Sequence, residues 1–231
     1  TVDYMFAFAA TTGAVQTQLI HIAMDEVTYG TGGRWNELAD EGGSSLELID
    51  PRANHRLASN WDASDETRKA PWTTVEYTGT LDNGTGAADQ LQMHMQGPGE
   101  CLVDNVEVFH AGGANLIANS TFETGIGGWT AEGTQDTSGA ETTEGYLSAR
   151  SYHLRAVDRG DTGANRIRTP LTSNMAIGAQ GTIRAQVRWL KGRPEMLLRL
   201  RGNYLEAIGK LTVPPNLGTP GARNSRAAAS T

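Results

Sequence analysis

The run from Leu102 to Thr130, LVDNVEVFHAGGANLIANSTFETGIGGWT, limits the folds open to this chain more than any other segment. Val103, Val106 and Val108 alternate closely enough with polar residues to read as a half-buried strand, and Gly112-Gly113 then breaks the pattern. A new apolar run starts at Leu116. A strand that ends and another that begins in mid-chain predict two β-units, 1–111 and 112–211, followed by an extended tail at 212–231.

Composition agrees with that division. The chain has 231 residues, enough for two sandwiches of about 100 residues each. It is rich in Gly, with 28, and lacks long stretches of strong helix formers, so short strands and turns should dominate. The 26 acidic residues outnumber the 19 Lys and Arg, giving a formal charge of −7, which opposes binding to nucleic-acid phosphates. Cys101 is the only cysteine, so no disulfide forms within the chain, and its place in CLVDNVEV reads as burial in a core. No run reaches the roughly 20 apolar residues that span a bilayer, so membrane insertion is not expected. The chain begins at Thr1 without a basic leader and reads as a piece of a longer protein.

Along the chain, VDYMFAFAA and VQTQLIHIAMDEVTY flank Thr11-Thr12-Gly13 and read as a hairpin. GTGGRWNELADEGG allows a short helical turn at most, SSLELID is a strand, and residues 51–72 form a long polar loop. WTTVEYTGTL, DQLQMHMQ and CLVDNVEV follow as three strands of an antiparallel meander, with Leu91, Met93 and Met95 on one face. Beyond Asn115, GWTAEGT leads into a Gly/Ser/Thr-rich loop at 133–145, and strands resume at YLSARSYHLRAV and NRIRTPL. TIRAQVRWL and EMLLRLRG read as a hairpin whose Arg184, Arg188, Arg199 and Arg201 line a polar face. LEAIGKLTV is a candidate final strand, and the tail from Pro214 is linker-like.

The wording VDNVEV, then NLIANSTFETGIGGW, resembles the closing and opening strands of galactose-binding-like jelly rolls, above all bacterial carbohydrate-binding modules of families 4, 9 and 22. DEVTYGTGGRWNELADEGGSSLELIDPRANHRLASNWDAS and NLGTPGARNS resemble parts of bacterial lamin-tail-like domains, with the jelly-roll material inserted between Trp61 and Thr219. The first unit carries the closing motif without the opening one, and the second carries the reverse. The resemblance implies two jelly-roll-like antiparallel β-sandwiches packed in tandem. It also implies a noncatalytic module of an extracellular or cell-surface bacterial protein, with a glycan as partner. The alternative is a structural subunit joined to neighbouring subunits through strand edges and extended termini, which the missing closing strand favours.

Under the glycan reading, the apolar face of a pyranose stacks on an aromatic ring, and Trp61, Trp72 and Tyr77, in or beside the long loop, are the candidates. Trp129 and Trp189 are assigned to the core. Jelly-roll modules of this kind commonly hold a structural calcium ion, which needs hard oxygen ligands. Asp82 and Asp89, and Asp158 and Asp161, lie in Gly-containing turns that offer them. Glu123 matches the acidic residue near calcium in the related modules, but the acidic closing strand is missing from its half. No GxSxG, HExxH, P-loop or spaced Cys/His set is present, so no enzyme activity is expected.

Overall fold

The computed structural model describes residues 2–9, 15–22, 26–40, 42–66, 69–110, 113–161 and 163–213. They separate into two compact units, one of residues up to Asn36 with Leu46–Asp62, the other of Glu37–Ser45 with everything from Ala63.

In the first unit, β1 (Val2–Ala9) pairs antiparallel with β2 (Val15–Ile22), from Val2 opposite Ile22 to Ala9 opposite Val15. This is the expected hairpin; its turn, Thr11-Thr12-Gly13, lies outside the described residues. β3 (Leu46–Leu48) pairs with β4 (Trp61–Ala63) across the polar loop. That loop is held by local chemistry: Asp50 Oδ1 accepts from the Arg52 amide at 2.8 Å, and Asn54 Oδ1 from the Arg56 amide at 3.0 Å. These are Asx turns, in which a side chain replaces a missing backbone acceptor.

The second unit is a β-sandwich. One sheet has the order β5 (Trp72–Thr80), β12 (Gln180–Gly192), β7 (Gly99–His110), β10 (Ser151–Ala156), β9 (Gly139–Glu141). The other runs β14 (Glu206–Lys210), β13 (Glu195–Arg201), β6 (Ala88–Met95), β11 (Arg166–Met175), β8 (Thr130–Glu132). Every pairing is antiparallel. Helical structure among the described residues is confined to three short 3₁₀ turns. The all-β, antiparallel sandwich architecture expected from the sequence is therefore what forms.

Period-two alternation puts one face of each strand into the core. From the first sheet come Val103 and Cys101 of β7 and Ile183, Ala185, Val187 and Trp189 of β12, all fully buried. From the second come Leu91, Met93 and Met95 of β6 and Met196, Leu198 and Leu200 of β13. Each large apolar side chain removed from water contributes about 1.5–3 kcal/mol. The Trp189 indole N–H donates to the Gly192 carbonyl at 2.9 Å, so its polar edge is satisfied inside the core. Trp129, Trp189 and Cys101 are buried as the sequence implied.

The strands are distributed differently from the expected division at 111/112. β7, which precedes that point, pairs on one side with β10 and on the other with β12, which both follow it. β6 likewise pairs with β11 and β13. The strands expected to form two sandwiches in tandem interleave in one.

Two local readings change with it. β5, β6 and β7 are not a meander, because β6 lies in the sheet opposite the other two. β12 and β13 are not a hairpin, because the chain crosses between sheets at Gly192–Pro194. Gly192 makes that crossing at φ +80, and any side chain there would collide with Gly99 and the Pro98 carbonyl. Consecutive strands that switch sheets wind the chain around a single sandwich.

The opening and closing motifs are knitted together within this sandwich. Asn105 sits at φ +46, a left-handed conformation that Asn tolerates, where the β7–β12 register shifts. The freed backbone groups are taken by the next segment: Asn115 Oδ1 accepts from the Val108 and Ile117 amides at 3.0 Å, and its Nδ2 donates to the Val106 carbonyl at 3.0 Å. Leu116 N donates to Val108 O at 2.7 Å, while its own carbonyl accepts from Thr172 of β11 at 2.9 Å. The apolar run at Leu116 is thus a strap joining the two sheets, not the first strand of a new domain. Phe122, Trp129 and Tyr152 cluster beneath it, with centroids 5.3–6.0 Å apart.

Candidate functional site

At the edge where β5 and β14 adjoin, a groove of about 670 Å³ runs between Tyr77 of β5 and Tyr204 in the turn before β14. Both rings reach solvent, Tyr77 at 51% and Tyr204 at 42% exposure, which is unusual for large aromatic side chains with no apolar cover. Thr78, Thr80, Asp82, Asn83 and Gln180 also line the groove, with Thr78 and Thr80 alternating with Tyr77 along β5.

Local sequence explains how Tyr204 is held there. The Gly202-Asn203 turn carries it, with Gly202 at φ +94. The fully buried Asn203 accepts from the Asn83 amide through Oδ1 at 3.0 Å, and the Tyr204 amide donates to Asn83 O at 3.2 Å. The Arg199 guanidinium lies over one face of the ring, 4.0 Å from its centroid. Gln180 Nε2 donates to Thr80 Oγ1 at 2.6 Å, and the Thr78 and Thr182 hydroxyls share a hydrogen bond of 2.7 Å. Most of the polar wall is therefore positioned before any ligand arrives.

The three aromatic residues named from the sequence do not come together. Tyr77 lines the groove, but Trp72 is an odd number of residues away on β5, so it faces the opposite side of the sheet, edge-on to Tyr146 at 5.8 Å. Trp61 belongs to the first unit, where its indole donates to the His55 carbonyl at 2.8 Å and its ring packs at 6.4 Å from Trp35. Tyr204 was missed; the signal for it was an aromatic residue directly after a Gly-Asn turn.

The four aspartates named as calcium ligands are also dispersed. Asp82 lies in the groove, whereas Asp89 on β6 takes a bidentate pair from Arg201 at 2.9 and 2.5 Å. The Arg201 hydrogen bonds hold its carboxyl below the usual range. Asp158 and Asp161 line a separate cleft. Asp158 Oδ1 accepts from the Arg159 amide at 2.6 Å. Asp161 accepts from the Gly163 and Ala164 amides and from Asn165 Nδ2, which lowers its pKa to about 2. Among the described residues no three His, Cys, Asp or Glu side chains are grouped to hold a metal. At Asp89, Asp158 and Asp161 carboxylate oxygens already accept hydrogen bonds from N–H donors, and the four aspartates do not come together as one oxygen cage.

Asp104 of the closing motif and Glu123 of the opening motif, which the sequence seemed to place in different units, share the sandwich. Asp104 is fully buried and accepts from the Asn105 and Tyr146 amides at 2.7 and 2.8 Å and from Ser148 Oγ at 3.1 Å. Glu123 accepts from the Arg150 amide at 3.2 Å. Burial pushes the Asp104 carboxyl up, aided by the negative charge of Glu123 and opposed by the three hydrogen bonds. Both acids fasten the 144–150 loop through its N–H groups. Replacing Asp104 with Ala leaves the half-buried Asn105 and Tyr146 amides without this acceptor, and the expected loss, about 1–3 kcal/mol, is measurable by urea denaturation.

The arginines follow the surface reading. Arg184 pairs with Glu107 at 2.6 Å and Glu76 at 3.3 Å, Arg188 with Glu144, Arg199 with Glu206 at 3.1 Å and Arg201 with Asp89. An anionic ligand would compete with carboxylates already in place. Comparison with family models, curated proteins and solved structures finds no match. No helix among the described residues is long and apolar enough to cross a membrane.

Proposed function

We propose that the sandwich is a noncatalytic binding module of an extracellular or surface protein, and that it holds a neutral glycan in the Tyr77–Tyr204 groove. The observation that carries this reading is the pair of exposed tyrosine rings flanking hydroxyl, amide and carboxylate groups. A pyranose presents an apolar face and a rim of hydroxyls, and each finds its counterpart here: the rings for the face, and Asp82, Asn83 and Gln180 for the hydroxyls. The neighbouring arginines are paired internally, so the groove offers no excess charge to a sulfated or strongly acidic polymer.

The structural-subunit reading drew on a closing strand missing from one half. That strand, β7, lies in the same sandwich as the opening motif. The glycan reading is therefore preferred.

Affinity electrophoresis against neutral soluble polysaccharides tests the proposal. Tyr77→Ala and Tyr204→Ala are each expected to weaken retardation by roughly tenfold, about 1.4 kcal/mol, while Trp61→Ala and Trp72→Ala leave the binding contacts intact. Retardation unchanged in the double tyrosine variant would refute the groove assignment.

A further inference from the structure

A second cleft, of about 520 Å³, opens on the outer face of the β6-centred sheet. Its floor is His94 of β6, with Leu197 and Arg199 of β13 beside it; its wall is Asp158–Asp161 with Asn165, between β10 and β11. The wall is built in. Gly160 N donates to Met95 O at 2.8 Å, Asp161 N to Asn165 O at 2.9 Å, Val157 N to Thr134 O at 2.9 Å, and Thr134 N to Asn165 Oδ1 at 3.0 Å.

His94 is only 1% exposed, yet neither ring nitrogen has a hydrogen-bond partner. Buried polar groups are almost always paired, so an unpaired imidazole facing a cleft marks a place where a partner from outside belongs. On the far side of Gly160, Gln135 is fully buried with both amide atoms unpaired. Gly160 permits this approach: a Cβ there would collide with Gln135 Nε2 and lie 2.8 Å from the Cβ of His94.

We infer that this cleft is a second binding site, separate from the tyrosine groove, for an uncharged hydroxylated ring of monosaccharide size. Its volume lies within the range of small-molecule sites, roughly 300–1,000 Å³. Asp158 and Asp161 disfavour an anion, Arg159 and Arg199 disfavour a cation, and the neutral imidazole offers one donor and one acceptor. A hydroxyl both donates and accepts, so it satisfies either nitrogen. Burial, reinforced by the Arg199 and Arg166 charges, holds the ring neutral down to about pH 4 against the Asn165 carbonyl and Asp161, which act the other way.

The test is an amide NMR titration of the whole protein with glucose, galactose, mannose, xylose and N-acetylglucosamine. At least one sugar is expected to shift the Gly160 and Asn165 amides and the His94 ring signals. These shifts should persist in Tyr77→Ala and vanish in His94→Leu, whose melting temperature should rise because an unpaired buried polar group has gone. Leu197→Trp, which fills the cleft from its edge, should abolish them too and serves if His94→Leu does not fold. No shift at these positions with any of the five sugars, or shifts that survive Leu197→Trp, would overturn the assignment. Loss of polysaccharide retardation in the tyrosine variants is a separate result and leaves this one standing.

Discussion

Residues 113–213 produced alone are expected to show no cooperative unfolding transition and no near-ultraviolet circular dichroism, whereas residues 37–213 should show both. The short fragment lacks β6 and β7, the middle strand of each sheet. β10 and β12 lose their shared partner, β11 and β13 lose theirs, and the core loses Leu91, Met93, Met95, Cys101, Val103, Val106 and Val108. Seven buried apolar side chains at about 1.5–3 kcal/mol each amount to roughly 10–20 kcal/mol, as much as the 5–15 kcal/mol that holds an ordinary domain folded. A well-dispersed NMR spectrum from 113–213 would mean that the chain divides at 111/112 after all.

Stability is expected to fall between pH 6.5 and pH 4 by roughly 3 kcal/mol on account of His94 alone. Its folded pKa is lowered to about 4 from 6.5, burial being the largest cause. In this window the unfolded chain takes up a proton that the folded one refuses, so the contribution is fully present above pH 6.5, drains away as pH falls, and levels off below pH 4. The charged groups around the ring are Arg166 on β11, Arg199 on β13, and Asp158, Arg159 and Asp161 on the loop.

Glu100 does not confuse the measurement. Burial raises its pKa, but hydrogen bonds from His153 and Lys191, with their charge, outweigh that and hold it at about 2, so its contribution is lost only in stronger acid. Urea denaturation at pH 7.5 and 4.5 should show a large drop for the native chain and a much smaller one for His94→Leu. Equal drops in the two proteins would remove His94 as the cause.

What the sequence revealed and what it hid divide along the range of the interactions. The β1–β2 hairpin, the inward face of β6 and the burial of Cys101, Trp129 and Trp189 follow from alternation within a few residues, and all are as read. Alternation says that a segment is a strand with one buried face; it does not say which sheet receives it. β12 and β13 have the local signature of a hairpin, yet Val187 pairs with Val103, 84 residues away (187 − 103), and Leu198 with Met93, 105 residues away (198 − 93). The 111/112 break failed for the same reason, since Asn115 and Leu116 look like a new beginning until their bonds to Val106 and Val108 are seen. At the candidate site, Tyr77 was legible as an aromatic residue among polar ones. Its partner Tyr204 is 127 positions further on (204 − 77) and arrives only through folding.

The central claim is that the Tyr77–Tyr204 groove binds a neutral glycan, and its most direct measurement is an amide map of the whole protein titrated with neutral oligosaccharides. Chemical-shift changes are predicted to concentrate at residues 77–83, Gln180 and 203–206, saturating with added ligand. Absence of binding across the series, or shifts centred on the Arg184–Glu107 face with the groove amides unmoved, would contradict it.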